Sequence, residues 1–403
     1  MSAVSAYARI NFKEMSLDAV RLGSDVLIAS NRLRGARVGV VCNHASVDRQ
    51  FRHVVDRLTA ADGVRLGAIF GPQHGFRSDV QDNMVETPHG EDATRSVPVY
   101  SLYSETREPT ADMLRTVDLL VIDLQDIGAR IYTYIYTMAN CLRAAARHGV
   151  PVIVCDRPNP IGSAVEGASL RPGYESFVGQ FPIPMRHGCT IGELARLFNE
   201  HFSIGAPLEV ITMEGWQRDT YADTTGLPWV MPSPNMPTLD SAVVYPGTVL
   251  FEGVLVSEGR GTTRPFELVG APWIDAERFA DAMNAHALPG AHFRPAVFEP
   301  TFQKYAKQPC GGCQIHVTDR LAFKPVLTGA ALIREFRRAN PDAFAWRQPP
   351  YEYEAEKLPI DILAGSDELR LQVEAGMPVA EIAASWRDDE AAFTELRRPF
   401  LLY

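Results

Sequence analysis

The chain's densest group of reactive side chains follows one short apolar segment, residues 119–122. The group begins without a spacer and combines carboxylates, a guanidinium and phenols: Asp123, Asp126, Arg130, Tyr132 and Tyr134. Carboxylates can transfer protons or attack as nucleophiles, and a guanidinium can bind an anion. A short, bounded apolar run is typical of a strand buried in a parallel sheet, and ligands bind outside the carboxyl ends of such strands. The sequence therefore predicts a site at this strand end.

Only one of the two aspartates is expected to take part in chemistry. Asp123 and Asp126 are three residues apart, so an extended chain would direct their side chains to opposite faces. The other aspartate would then orient Arg130 or cap the helix that follows. The sequence leaves open which of the two faces a ligand.

Three more predicted strands end in polar residues of the same kind. Residues 37–42, 65–70 and 151–155 are apolar and are followed by NHAS, GPQHGF and DRPNPIG. Helical patterns over residues 48–62, 110–115 and 134–148 separate the strands. This alternation predicts an α/β fold with a Rossmann-like parallel sheet and right-handed crossovers. Four such strand ends on one edge strengthen the prediction of a site there.

The length of 403 residues favours two domains. The segment WVMPSPNMPTL, from residue 229, is too rich in proline for regular structure, which predicts a boundary near residue 240. We expect residues 1–240 to form the Rossmann-like domain, with helices at residues 16–35 and from Thr190, where Glu193 completes a capping box. An edge strand is expected at residues 208–213. Residues 241–403 mix helical and strand patterns and are expected to form a smaller α+β domain.

A second acidic segment, LFEGVLVSEGRGTTRPFE, follows this boundary. Residues 249–256 alternate like a strand, and along such a strand Glu252 and Glu258 would lie about 20 Å apart at ~3.3 Å per residue. Glycines at 259 and 261 predict a turn that places Glu258, Arg260 and Arg264 on a tight loop. Further acids in EYEAEKLPIDILAG, from residue 352, are interpreted as solvated surface.

Composition excludes several function classes. The net charge of −10 and the absence of a Lys/Arg run argue against nucleic acid or an anionic membrane as a partner. The start of the chain does not resemble a secretory signal, and no apolar stretch of about 18 residues occurs, so a cytoplasmic protein is expected. Cys310 and Cys313 have metal-site spacing, but no second pair follows, so neither a metal nor a redox role is expected.

Two rival functions have little support in the motifs. A dinucleotide binder needs a glycine-rich turn after its first strand, whereas NHASVDRQ follows here, and no P-loop is present, so no cofactor is expected. A metal-dependent hydrolase could use two histidines, His44 and His74, with the two aspartates of the opening group. No HxxxH or HxH spacing supports it.

The ordered motifs resemble a known family over most of the chain, roughly residues 38–273. They are GPQHGFRSDVQDNMVE, DLQDIGARIYTY, DRPNPIG, PIPMRHGCTIGELA, PSPNMPT and LFEGVLVSEGRGTTRPFE. This set resembles the family once catalogued as a domain of unknown function, DUF1343, and now represented by NamZ-type exo-β-N-acetylmuramidases of glycoside hydrolase family 171. The resemblance implies a Rossmann-like domain, a smaller C-terminal domain and an active-site cleft between them. It also implies release of N-acetylmuramic acid from the non-reducing end of peptidoglycan fragments.

Such a hydrolase usually needs two carboxyl groups, one as acid and one as base or nucleophile. We predict Glu258 as one, Asp123 or Asp126 as its partner across the cleft, and His74 as an aid to proton transfer. Retention and inversion both stay open.

The substrate carries a lactyl carboxylate, which calls for a cation. All the candidates lie in motif segments: Arg130, Arg157, Arg186, Arg260 and Arg264. Tyr132 and Tyr134 are expected either to stack on the sugar or to pack in the core. Four further polar residues are predicted to bind substrate: Asn159, His187, Asn235 and Glu252. The alternatives are a non-catalytic glycan-binding or muropeptide-binding protein and a hydrolase of another acidic amino sugar.

Overall fold

The computed structural model describes residues 20–82 and 84–403. Its strands, in chain order, are β1 (Arg37–Cys42), β2 (Arg65–Gly71), β3 (Gly90–Asp92), β4 (Val97–Ser101), β5 (Leu119–Asp123), β6 (Val152–Cys155), β7 (Glu166–Ser169), β8 (Pro184–Arg186), β9 (Leu208–Ile211), β10 (Leu268–Ala271), β11 (Ala291–Phe298) and β12 (Cys310–Val317). Its α-helices are α1 (Gly23–Ala29), α2 (Val54–Ala60), α3 (Ala111–Leu114), α4 (Tyr134–His148), α5 (Ile191–Arg196), α6 (Leu239–Thr248), α7 (Ala276–Ala285), α8 (Pro325–Ala339), α9 (Pro359–Ala364), α10 (Glu368–Glu374), α11 (Val379–Ala384) and α12 (Arg387–Arg397).

The predicted parallel sheet is confirmed. Seven strands pair in the order β3-β4-β2-β1-β5-β6-β9, and every pair is parallel except β3 with β4. All of β1 except Arg37 is buried, as its apolar sequence requires between two layers of helices. Cys42 at the end of β1 pairs with Asp123 at the end of β5. The carboxyl ends of these two central strands are therefore level.

Most of the predicted elements of the first 240 residues are present. β1 and α4 have the predicted bounds, and the capping box of Thr190 and Glu193 begins α5. The helix predicted over residues 48–62 is shorter: α2 spans Val54–Ala60, because the Asp48 side chain accepts backbone N–H groups of the preceding loop and His53 caps the helix. Of the helix predicted over residues 16–35, residues 16–19 lie outside the described residues, and α1 spans Gly23–Ala29.

The strand predicted over residues 249–256 is wrong. α6 continues directly into a 3-10 turn, Val249–Gly253, and every residue from Ser241 to Gly253 is buried. A short apolar run buried on every side has no solvent face, so its periodicity does not distinguish strand from helix. The rest of this region is α+β as predicted, with a three-stranded antiparallel sheet in the order β10-β12-β11.

One continuous core joins the sheet to the second region. It contains Ile122 of β5 and Tyr134 of α4 together with Val244 of α6 and Phe336 of α8. α6 begins at Leu239, next to the expected boundary near residue 240, but the division into two domains stays a prediction. Over the described ranges, no helix has the length and apolarity needed to cross a bilayer. The cytoplasmic location also stays a prediction.

Candidate active site

Asp123 forms an internal ion pair at the end of β5. One of its carboxylate oxygens is 2.8 Å from Nη1 of Arg157, and both side chains are buried. Arg157 also donates to the carbonyl oxygens of Ala45 and Val47, at 3.0 and 2.9 Å. These contacts fasten the loop after β1 to the strand end. Asp123 and Arg157 therefore lie at the predicted sheet edge. Their ion pair connects the end of β5 to the loop after β1.

Asp126, Asn159 and His187 organise the loop that follows β5. Asp126 accepts the backbone N–H of Gly128 at 2.7 Å and lies 3.5 Å from Nε2 of His187. Asn159 donates to the carbonyl of Cys189 at 3.0 Å. Gly128 has φ 87°, and a Cβ there would lie 2.4 Å from the Asn159 side chain, so this close packing requires glycine.

Three other arginines that were predicted to bind the lactyl carboxylate contact protein groups instead, as Arg157 does. Arg130 is fully buried and donates to the carbonyls of Leu363 and Ala364 at 3.1 and 3.0 Å, and burial lowers its pKa to about 10. Arg186 is buried and donates to the carbonyl of Ile161. Arg264 is half-exposed and pairs with Glu267 at 3.2 Å. Arg130 and Arg186 thus fasten loops, and Arg264 forms a pair at the surface.

A cleft lies between the sheet and the second region, and both contribute to its lining. Six of the predicted site residues line it: His74, Tyr132, Tyr134, Asn235, Glu252 and Arg260. Nine others lie outside the lining: Asp123, Asp126, Arg130, Arg157, Asn159, Arg186, His187, Glu258 and Arg264. The sequence reasoning missed several lining residues with polar groups: Gln73, Thr133, Ser233, Tyr245, Tyr351 and Glu352.

Aromatic rings form one side of the cleft. The Tyr132 ring is 4.9 Å from that of Tyr134 and 5.8 Å from that of Tyr245, in both cases edge-on. Tyr245 in turn contacts Phe266 at 4.8 Å. The Tyr134 hydroxyl donates to the carbonyl of Pro232 at 2.8 Å. Both rings therefore pack in the core and also line the cleft, and stacking of either ring on a sugar stays a prediction.

Arg260 brings Glu252 and Glu258 together across the turn that the glycines predicted. Its Nη2 is 2.7 Å from Glu252, and its Nη1 is 3.4 Å from Glu258. Glu252 also accepts the hydroxyl of Tyr351 at 2.7 Å. The Nε–H of Arg260 is buried and has no hydrogen-bond partner among the described residues. A donor of this kind is available to an anionic ligand.

Glu258 is a buried partner of cations behind the cleft. Its carboxylate is 2.7 Å from Nζ of Lys304, which also donates to the carbonyls of Phe251 and Val256 at 2.6 and 3.1 Å. Burial alone would raise the pKa of Glu258, but Lys304 and Arg260 outweigh it and hold the pKa below its ordinary value. A catalytic role for Glu258 stays a prediction, and its position outside the lining does not favour that role.

Glu352 is the acidic group that the sequence interpretation overlooked. The expectation of solvated surface from residue 352 is wrong at this position, where the side chain is 4% exposed. Its two oxygens accept the Tyr103 hydroxyl at 2.9 Å and the Gln73 amide at 3.2 Å. Burial, assisted by the nearby charge of Glu252, raises the pKa of Glu352 to about 7. The alternation of tyrosine and glutamate in YEYE was the available signal.

The remaining polar lining is neutral. Nδ1 of His74 donates to the carbonyl of Val80 at 2.7 Å, and burial lowers the pKa of His74 to about 4. Asn235 exchanges hydrogen bonds with Gln81 at 2.9 and 3.1 Å. The cleft thus combines one carboxyl that keeps its proton near neutral pH, one carboxylate paired with a guanidinium, and aromatic walls. Within residues 20–82 and 84–403, no group of three or more His, Cys, Asp or Glu could hold a metal ion.

Comparisons with known proteins agree over most of the chain. Family models described as the N-terminal and C-terminal parts of exo-β-N-acetylmuramidase NamZ match residues 38–240 and 243–403. The chain is 44% identical over 387 residues to the peptidoglycan β-N-acetylmuramidase NamZ of Bacillus subtilis strain 168, covering 95% of this chain and 91% of that protein.

Two solved structures of DUF1343 family proteins from Bacteroides fragilis have the same fold. One is 34% identical, with a TM-score of 0.87 over 96% of this chain and 100% of the other. The second is 28% identical, with a TM-score of 0.73 over 95% of this chain and 99% of the other. The chain therefore belongs to the DUF1343 family of NamZ-type exo-β-N-acetylmuramidases.

Proposed function

We propose that this chain is a glycoside hydrolase that releases N-acetylmuramic acid from the non-reducing end of peptidoglycan fragments. The activity of its 44% identical relative supports the proposal. The observation that carries it is the pairing of Glu352 and Glu252 in one cleft, in two different electrostatic environments. A glycosidase needs such a difference, because one carboxyl group must hold a proton while the other is ionised.

Glu352 is the general acid of the proposed mechanism. Its pKa of about 7 lets it keep a proton at a pH where an ordinary glutamate has lost it. Tyr103 and Gln73 fix its position, and Gln73 is itself fixed by the Thr133 hydroxyl at 2.9 Å. Glu352 donates its proton to the glycosidic oxygen as the bond from the sugar to that oxygen breaks.

Glu252 is the second carboxylate. Arg260 and Tyr351, both at 2.7 Å, hold it in place, and the guanidinium balances its negative charge. In this position the carboxylate stabilises the positive charge that develops on the sugar ring as the leaving oxygen departs. Water then supplies the new hydroxyl at the anomeric carbon, and the proton that it releases goes to one of the two carboxyl groups. Removal of the Arg260 charge would therefore affect both substrate binding and the mechanism.

The lactyl carboxylate of muramic acid binds Arg260. Among the described residues, Arg260 is the one arginine or lysine that lines the cleft, and its Nε–H has no protein partner there. A guanidinium hydrogen-bonds a carboxylate in a fixed plane, which gives orientation as well as affinity. The rings of Tyr132 and Tyr245 are placed to contact the apolar face of the pyranose.

The test is incubation with para-nitrophenyl N-acetyl-β-muramide beside the corresponding N-acetylglucosaminide. We expect nitrophenol release from the muramide and much less from the glucosaminide, which lacks the lactyl group. Release from neither would overturn the proposal and leave a glycan-binding protein. Release from the glucosaminide alone would move the activity to another sugar.

A further inference from the structure

A second cavity opens on the other side of Glu352. It is an open groove, and Glu352 lines both this groove and the cleft. The groove continues over Arg107, Phe177 and Tyr353. The two cavities therefore meet at the residue that we assign as the general acid.

Tyr353 lines the groove, and its aromatic ring is exposed. It is 60% exposed, although it directly follows the buried Glu352. Both residues have left-handed backbone conformations, with φ of 45° at Glu352 and 71° at Tyr353; Glu352 lines both cavities, whereas Tyr353 lines the groove and is not part of the cleft lining. Backbone conformations of this kind are uncommon outside glycine and persist where the surrounding structure holds them.

Polar and cationic contacts hold the Tyr353 ring in place. The guanidinium of Arg107 lies 4.4 Å from the ring centroids of both Tyr353 and Tyr103, so one face of Tyr353 is already used. Glu86 is 3.1 Å from the Tyr353 hydroxyl and 3.2 Å from Arg107. The Tyr353 ring also contacts the Tyr103 ring edge-on at 6.2 Å, and because it is 60% exposed it keeps surface that a ligand can contact. An aromatic ring fixed in this way contacts a sugar with little loss of side-chain entropy.

The charge of the groove restricts what it can bind. Its carboxylates, Glu86, Glu105, Glu108, Glu175 and Glu354, outnumber its guanidiniums, Arg107 and Arg143. Arg107 pairs with Glu86, with its Nε–H unpartnered among the described residues, and Arg143 donates to Asn140 at 2.7 Å. A neutral sugar is therefore favoured over one that carries a carboxylate.

We propose that this groove binds the leaving part of the substrate, a neutral N-acetylated hexopyranose with any glycan beyond it, and that Tyr353 is its stacking surface. The inference rests on the proposed function. A general acid must stand beside the glycosidic oxygen, which joins the cleaved sugar to the leaving one, so the leaving sugar lies on the groove side of Glu352. It departs with the proton of Glu352 on its new hydroxyl.

The test compares two substrates that share the muramic acid and differ in the leaving group. One is the disaccharide of N-acetylmuramic acid β-linked to N-acetylglucosamine; the other is the β-fluoride of N-acetylmuramic acid, whose leaving group is one atom. For Tyr353→Ala we expect kcat/KM for the disaccharide to fall about tenfold, mainly through KM, as for the loss of one aromatic contact of about 1.4 kcal/mol. The fluoride should lose far less, because it does not reach the ring.

Two variants serve as controls. Tyr353→Phe keeps the ring and should retain the disaccharide activity within about twofold, since stacking needs only the aromatic surface. Phe51 is 62% exposed and also has a positive φ of 60°, but it lies outside the groove lining. Phe51→Ala should therefore leave kcat/KM unchanged for both substrates.

An equal loss on both substrates in Tyr353→Ala, or no loss on the disaccharide, would overturn the groove assignment while leaving the proposed function intact. A wild-type protein that cleaves neither substrate would instead overturn the function, and the groove assignment with it.

Discussion

Glu352 in the cleft and Asp156 at the end of β6 are a matched pair of buried carboxyl groups. Burial raises the pKa of each to about 7. They differ in what surrounds them. Glu352 accepts two side-chain hydrogen bonds and lines a cleft and a groove. Asp156 is 0% exposed and accepts the Gly192 N–H at 2.7 Å and the Thr190 and Tyr403 hydroxyls at 2.8 Å.

A perturbed pKa alone does not make a carboxyl group catalytic. Both groups satisfy the electrostatic criterion for a functional carboxyl, but only one is in contact with a space that a substrate could enter. Asp156 instead connects β6 to the N-terminus of α5 and to Tyr403 at the end of the chain. Substitutions at the buried carboxyl groups test this distinction.

Glu352→Gln should abolish general-acid catalysis with little change in fold. We expect kcat on the muramyl disaccharide to fall about 10³-fold, within the range for loss of a positioned acid, because glutamine keeps the shape but has no proton to donate. Steady-state kinetics with a thermal melt measure both properties. Glu356→Gln, an exposed position of the same segment, is the control and should keep full activity. A Glu352→Gln enzyme with near-normal turnover would remove Glu352 from the mechanism.

Glu258→Gln should reduce stability through the cation it leaves behind. Lys304 would remain buried without its counter-charge, and breaking a buried ion pair in this way costs about 3 kcal/mol of unfolding free energy. Urea unfolding measures the change. The double variant Glu258→Gln with Lys304→Met should recover much of the loss, because no uncompensated charge remains. A stable single variant that loses turnover would instead restore Glu258 as a catalytic group.

Asp156→Asn should destabilise the fold by about 2 kcal/mol, because the new amide N–H₂ faces donors and cannot accept their hydrogen bonds. The turnover of the folded enzyme should be unchanged, in contrast to Glu352→Gln. Active-site titration, which counts folded molecules, and urea unfolding separate the two effects. A large loss of turnover per active site would show that Asp156 acts on the site from a distance.

The sheet was predictable because its strands are apolar on both faces and are punctuated by turns. β1 and α4 have the predicted bounds, and the capping box of α5 depends only on Thr190 and Glu193, three residues apart. Signals of this kind are local, so they survive without knowledge of the fold. The edge where the strand ends meet was also correctly located, as the ion pair of Asp123 and Arg157 shows.

The site was harder to predict, because its facing groups come from distant parts of the chain. Gln73 and Glu352 are 279 residues apart in sequence yet hydrogen-bonded. Nothing local distinguishes an arginine that lines the cleft, such as Arg260, from one that lies outside it and is fully buried, such as Arg130. Motif density therefore favoured residues that hold loops together. The sequence predicts solvated surface for the acidic residues of the YEYE segment, because acidic residues are usually solvated.

The rate should depend on pH through Glu352 and not through Asp156. Glu352 is protonated below its pKa of about 7, so kcat/KM should be maximal on the acid side and fall tenfold per pH unit above that value. Glu352→Gln should lack this alkaline limb, whereas Asp156→Asn should keep it. A wild-type profile that rises through pH 7 would contradict the assignment of Glu352 as the acid.

Stability should depend on pH through both groups. Each carboxyl holds a proton in the folded state that the unfolded chain releases at lower pH, since the ordinary pKa values are 4.5 for Glu352 and 3.8 for Asp156. The folded state therefore binds more protons in this window, and the unfolding free energy falls as pH rises from about 4 to about 7. Urea unfolding at pH 5 and pH 8 should show a smaller difference in either variant than in the wild type. The two carboxyls thus shift the pH dependence of stability in the same direction, whereas only Glu352 should shape the pH dependence of the rate.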